Sequence, residues 1–223
     1  MKTIQETISD QLSLLTGTGI KRFQYLPYNM TIALDVVSRI AKGIDEGFKF
    51  TDNSKDLYIK LIQFFHGDPT FKGDLSKGIL LQGPTGTGKT LAMRVMSIYQ
   101  KIDNIKYTMN GKVYTMNYDV TNINDIVNCF IDNAFDGIQI YSNRYVVCLD
   151  DIGTEIEEVK HYGNSLDVIS HVISERYSKR LLTFGTTNFR INDLEDKYGD
   201  RILSRIYALF NFIVVKDCDF RRK

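Results

Sequence analysis

Gly83-Pro84-Thr85-Gly86-Thr87-Gly88-Lys89-Thr90 follows the apolar run Ile79-Leu80-Leu81 and precedes Leu91-Ala92-Met93-Arg94-Val95-Met96. The eight residues fit G-x-x-x-x-G-K-[ST], and their flanks supply a strand before the loop and a helix after it. In that context consecutive backbone N–H groups and the positive end of the helix surround a phosphate chain, and glycine permits the close approach and positive φ angles this needs. Gly83 through Leu91 are therefore expected to line a nucleotide site, with Lys89 on the β- and γ-phosphates and the Thr90 hydroxyl offered to Mg²⁺.

Working outward, 223 residues suit one nucleotide-binding domain with an N-terminal helical extension, divided at 1–72 and 73–223. Hydrophobic residues at 43% and charged residues at 25% predict a globular chain with a sizeable core. No apolar run approaches the roughly 20 residues that cross a bilayer, and no signal-peptide stretch follows Met1-Lys2-Thr3-Ile4-Gln5-Glu6, so a cytoplasmic location is expected. Cys129, Cys148 and Cys218 are odd in number and lack C-x-x-C spacing, which implies neither a disulfide framework nor a zinc site. The net charge of +1 gives no bulk electrostatic reason to expect nucleic acid, and Arg221-Arg222-Lys223 is the one compact basic cluster.

Apolar spacing predicts helices over 3–15, 29–42 and 54–65, the last dense enough in Leu, Ile and Phe to dock on the domain. Beyond the phosphate loop, strands are expected at 112–117, 145–149, 181–186 and 212–216. Helices are expected at 89–100, 122–135, 165–179 and 193–209. The alternation predicts a parallel sheet covered by helices on both faces.

A phosphate loop alone does not separate kinases, GTPases and ATPases. The run Tyr145-Val146-Val147-Cys148-Leu149 reads as a strand buried on both faces, and Asp150-Asp151 ends it, where ligands of an α/β sheet collect. Asp150 is expected in the Mg²⁺ shell and Asp151 beside the attacking water; Glu155 reads as a surface residue, with a substitute base as the alternative. Thr186-Thr187-Asn188 ends the fourth strand, so Asn188 would flank the phosphates opposite Asp151 if that strand lies between the first and third. Arg201 and Arg205 stand four apart on one helical face, suited to anion recognition or to pairing with Glu195, Asp196 or Asp200.

Together, Gly83–Thr90, Val147-Cys148-Leu149-Asp150-Asp151-Ile152-Gly153, Thr186-Thr187-Asn188 and Tyr198-Gly199-Asp200-Arg201-Ile202-Leu203-Ser204-Arg205 resemble the AAA+ ATPases of the helicase-loader branch. That branch holds bacterial and phage replicative helicase loaders and the ATPase subunits that assist insertion-sequence transposition. The resemblance spans about residues 78–221. It implies a five-stranded core in the order 5-1-4-3-2, Asp150 and Asp151 as the Walker B pair, Asn188 as sensor 1, and Arg205, with Arg201 beside it, as the arginine finger of a neighbouring subunit. Ile173-Ser174-Glu175-Arg176-Tyr177 resembles the family's helix ending. Gly19-Ile20-Lys21-Arg22-Phe23 resembles the segment near the adenine ring, with Lys21 where a proline is usual. Asp219-Phe220-Arg221 resembles the loaders' C-terminal ending.

Two features depart from many relatives. Asp151 is shorter than the glutamate common at that position, which implies weak intrinsic hydrolysis, and no C-terminal helical lid is expected, with Arg221 either filling that gap in part or standing as a plain charged terminus. The resemblance implies ATP and Mg²⁺ as ligands and an ATP-dependent homo-oligomer that assembles on single-stranded DNA and serves a replicative helicase through residues 1–72. A transposase-like client is one alternative. A nucleotide-gated scaffold with negligible hydrolysis is the other.

Overall fold

The computed structural model describes residues 23–109, 112–155, 159–161 and 164–216. The expected helix at 3–15, residues 19–22 of the adenine-proximal segment, Cys218 and the ending around Arg221 lie outside the described residues.

Helices α1 (Met30–Ile44) and α2 (Asp52–Phe65) come first. Both begin at capped ends: Asn29 accepts from the amides of Thr31 and Ile32, and Thr51 forms a capping box with Ser54. Strand β1 (Gly78–Gln82) runs into the phosphate loop and α3 (Lys89–Ile102). There follow β2 (Lys106–Met109), β3 (Lys112–Thr115), β4 (Val120–Asn122), α4 (Ile123–Asn143) and β5 (Val146–Asp150). The chain continues through β6 (Val159–His161), β7 (Asn164–Leu166), α5 (Val168–Ser178), β8 (Leu182–Thr187), α6 (Ile191–Leu209) and β9 (Phe210–Val214).

The central sheet is five-stranded and parallel, in the order β4-β5-β8-β1-β9. Numbering only these core strands, that is 5-1-4-3-2 read from the far edge. The second core strand is not the expected 112–117, however. Residues 112–115 pair antiparallel with 106–109 in a separate hairpin, and the edge position goes to Val120–Asn122. Three residues at a sheet edge carry too little alternation to stand out beside a longer strand. A second hairpin, β6 with β7, takes residues 164–166, which the sequence assigned in part to the following helix.

Side chains alternate across β1 and sort the core into two layers. Ile79 and Leu81 face α1, α2 and α3, packing with Val37, Leu61, Phe65 and Met93. Leu80 faces α4, α5 and α6, packing with Ile126, Ile169 and Ile206. Both faces of the sheet are thus buried, which is why its strands read as continuous apolar runs. Helices α1 and α2 share the core on this face of the sheet. Helix α4 breaks at Ala134 (φ 52°), where the sequence had placed its end, and resumes to Asn143; α6 breaks at Gly199 (φ 73°).

Arg176 is fully buried on α5. It donates to the carbonyls of Tyr141 (2.6 Å), Arg144 (2.9 Å) and Leu182 (2.7 Å) and to Thr183 Oγ1 (2.9 Å). The family-like helix ending is therefore a brace between α4 and β8. Gly78 marks another tight point, because a Cβ there would lie 1.7 Å from the Thr183 carbonyl oxygen. Gly78→Ala is expected to force β1 and β8 apart and destabilise the fold by about 2 kcal/mol or more, read as a lower urea midpoint at unchanged slope.

Candidate nucleotide site

The loop from Gly83 to Gly88 closes over the carboxyl ends of β1 and β8. Gly83 N donates to the Thr187 carbonyl at 3.2 Å, and Gly86 (φ 83°) and Gly88 (φ 82°) take left-handed conformations that a side chain would disfavour. Gly88 opens α3, whose first amides have no intrahelical partner and face the loop. The Lys89 ammonium is buried and donates to the carbonyls of Gly83 and Pro84, each at 2.7 Å, and to Asn188 Oδ1 at 2.7 Å.

The carboxylates arrive from β5. Asp150, 5% exposed, accepts from Thr90 Oγ1 at 2.9 Å and from Thr186 Oγ1 at 2.7 Å, so one carboxylate oxygen joins the phosphate loop to the end of β8. Asp151 turns left-handed at φ 63°, a conformation Asp tolerates better than most residues, and its amide donates to Thr186 Oγ1. Its two side-chain oxygens receive Asn188 Nδ2 at 3.2 Å and Asn122 Nδ2 at 3.4 Å. Asn188 thus links Lys89 to Asp151 directly instead of facing the aspartate across a gap. Because β8 lies between β1 and β5, the loop, both aspartates and Asn188 meet at one place.

Most of these residues, though not Asp150, line one cleft of about 730 Å³. Thr85 through Leu91, Asp151 and Asn188 form one end, and Phe48, Lys49, Phe50, Leu57 and Tyr58 the other. The second group went unseen in the sequence. Phe48 and Phe50 precede α2 without a motif, and Tyr58 belongs to a helix whose apolar face reads as core. Phe23, expected near the adenine ring, is buried against Phe64 (ring centroids 4.9 Å apart) and is absent from the cleft lining.

The Mg²⁺ expectation fits the donor set. Thr90 Oγ1 and Asp150 Oδ1 are adjacent hard oxygens beside the loop, and Mg²⁺ at phosphate sites takes one or two protein oxygens and keeps its remaining ligands as water and phosphate. Among the described residues no group of three or more His, Cys, Asp or Glu side chains forms a metal cage, consistent with that mode.

Glu155 is neither a surface residue nor a base in the cleft. It is buried, accepts from the Gly153 amide at 3.1 Å and from the Tyr198 hydroxyl, and lies 3.7 Å from Lys197. Burial pushes its carboxyl above the usual carboxylate range. Arg201 is exposed and Arg205 half-buried on α6, and neither lines the cleft. Arg205 donates to Ser174 Oγ and lies over the Tyr177 ring at 5.8 Å, in place of the acidic partners considered for it.

Among solved structures, the chain is similar to the DnaC helicase loader, with 22% identity, coverage of 78% of this chain and 96% of that one, and a TM-score of 0.55. It is similar also to DnaI, with 20% identity, coverage of 78% and 88%, and a TM-score of 0.55. The chain shares its fold with these two proteins. The replication initiator DnaA bound to AMPPCP and single-stranded DNA shares it at 15% identity and a TM-score of 0.52, over 78% of this chain and 49% of that one. No protein-family model matches the sequence, and no curated protein does. The five-stranded sheet carries the Gly83–Thr90 loop and the Asp150-Asp151 pair at its carboxyl edge. No helix among the described residues is long and apolar enough to cross a membrane.

Proposed function

We propose that the chain is an ATP-binding, weakly hydrolysing AAA+ ATPase that assembles on single-stranded DNA and loads a replicative helicase. The observation that carries this reading is the convergence of Lys89, Thr90, Asp151 and Asn188 on one cleft, with Asp150 behind them accepting from Thr90. Loop amides and the α3 N-terminus would hold the triphosphate, with Lys89 moving from the Gly83 and Pro84 carbonyls onto the phosphate oxygens. Thr90 and Asp150 would hold Mg²⁺, which neutralises phosphate charge. Asp151 would take a proton from the attacking water while Asn188 fixes the carboxylate's orientation.

Residues 1–72 form the proposed partner-binding extension. Arg205, with Arg201 beside it, would reach the γ-phosphate of a neighbouring copy, since neither lines the cleft of its own chain. An arginine supplied this way stabilises charge that develops in the transition state. Arg205→Ala is expected to lower single-stranded-DNA-stimulated turnover by about 100-fold or more. Mixing it with Lys89→Ala should restore part of that activity, because mixed assemblies contain sites with an intact loop and an intact finger. Absence of rescue in a phosphate-release assay overturns the shared site.

The reading as a whole is tested by ATP turnover and by sedimentation with single-stranded DNA and nucleotide. Turnover that rises with DNA, together with ATP-dependent assembly, supports it. Negligible turnover in every sample, with assembly intact, leaves a nucleotide-gated scaffold.

A further inference from the structure

The Arg205 guanidinium carries a full positive charge that its own chain holds without neutralising. It donates to Ser174 Oγ and lies 5.8 Å from the centre of the Tyr177 ring. No carboxylate among the described residues forms an ion pair with it, and Glu175, the acid between those two residues in the chain, is engaged by Lys179 at 2.6 Å. A hydroxyl and an aromatic face hold a guanidinium through a dipole and a ring quadrupole, and so leave its charge available to an anion.

The holder is itself rigid. Ser174 and Tyr177 stand three residues apart on one face of α5. Arg176, beside Tyr177, is buried and anchors that helix through its bonds to the carbonyls of Tyr141, Arg144 and Leu182 and to Thr183. Ser174 Oγ gives its own proton to the Ser170 carbonyl at 2.6 Å, so its lone pairs are left for the guanidinium. Tyr177 is 44% exposed and Arg205 half-buried, which places the cluster at the protein surface. An arginine has many rotamers, and holding it in one lowers the entropy lost when it meets an anion.

We propose that Tyr177 and Ser174 are positioning residues for Arg205, holding its uncompensated guanidinium ready for the phosphate of a nucleotide bound by a neighbouring copy. The inference rests on the trans arginine proposed above and adds what aims it. Neither residue lines the cleft of its own chain; both act through Arg205.

The test compares Tyr177→Leu, Tyr177→Phe and the double variant Ser174→Ala/Tyr177→Leu in ATP turnover stimulated by single-stranded DNA. Tyr177→Leu keeps apolar bulk and loses the π face, so turnover at saturating ATP should fall about 3- to 10-fold, while Tyr177→Phe keeps that face and should stay within about 2-fold of wild type. The double variant should fall about 10-fold or more, with ATP affinity unchanged. Mixed with Lys89→Ala, whose finger is intact, it should regain part of the loss; mixed with Arg205→Ala, it should regain none. A defect confined to folding would not discriminate between those two partners. Three results overturn the positioning role and leave the shared site standing: equal losses in Tyr177→Phe and Tyr177→Leu, a double variant as active as wild type, or no recovery of the double variant with Lys89→Ala where Arg205→Ala does recover. A loss that sedimentation traces wholly to weaker assembly does the same. Failure of Arg205→Ala itself to recover with Lys89→Ala overturns the shared site and the positioning role with it.

Discussion

Lys89→Ala is expected to weaken ATP binding by about 100-fold or more while leaving the fold intact. Wild-type Lys89 is 4% exposed, and its ammonium donates to the carbonyls of Gly83 and Pro84 and to the Asn188 amide oxygen. Triphosphate oxygens offer a far stronger partner, and charge-assisted hydrogen bonds are worth about twice neutral ones. Removal of the ammonium costs a cation at the point of highest ligand charge, within a cleft where water screens poorly. It also takes the donor from the Gly83 and Pro84 carbonyls and from Asn188 Oδ1, so the unfolding midpoint should fall modestly. Calorimetric titration with ATP, beside a urea melt, checks both halves. Near-wild-type affinity would remove the phosphate loop from the site.

The second large effect is expected at Asp151. Asp151→Asn should bind ATP within a few-fold of wild type yet lose turnover by on the order of 100-fold, because a positioned general base contributes roughly 10²- to 10⁴-fold. Asparagine tolerates the left-handed backbone at φ 63° and matches aspartate in shape, so the β5 ending is kept. What changes is the proton acceptor. The amides of Asn188 and Asn122 both donate to the aspartate oxygens, and an amide in its place offers them only one oxygen. Asp150→Asn should behave differently, losing binding in magnesium buffer, since that carboxylate accepts from Thr90 at 2.9 Å beside the proposed metal position. A single-turnover assay alongside equilibrium binding separates the two phenotypes. Turnover by Asp151→Asn equal to wild type would assign the base elsewhere; Glu155, buried against Tyr198 and Lys197, is no ready substitute.

The proposed phosphate loop stood out in the sequence because such chemistry demands particular residues close together in the chain. Positive φ at Gly86 and Gly88, a lysine at the helix start and a hydroxyl after it leave little freedom, so the pattern survives in one dimension. Asp150, Asp151 and Asn188 could be placed because strand ends in a parallel sheet share one edge. Buried strands also announce themselves as apolar runs, and hence four of the five core strands were found within about two residues.

Only the tertiary structure decided the rest, and each case turns on packing between distant segments. Val120–Asn122 is a core strand because Cys148 to Asp150 lie beside it, a pairing that three residues cannot announce. Glu155 is buried because α6 brings Tyr198 and Lys197 over it. The aromatic part of the cleft unites Phe48, Phe50 and Tyr58 with a loop some thirty residues further on, and nothing in their spacing marks them as other than core. Sequence by itself marked the Gly83–Thr90 loop as the proposed phosphate site, since backbone geometry there requires its residues locally; the fold decided which side chains line the rest of the cleft, since side-chain shape and burial arise only when separated segments meet.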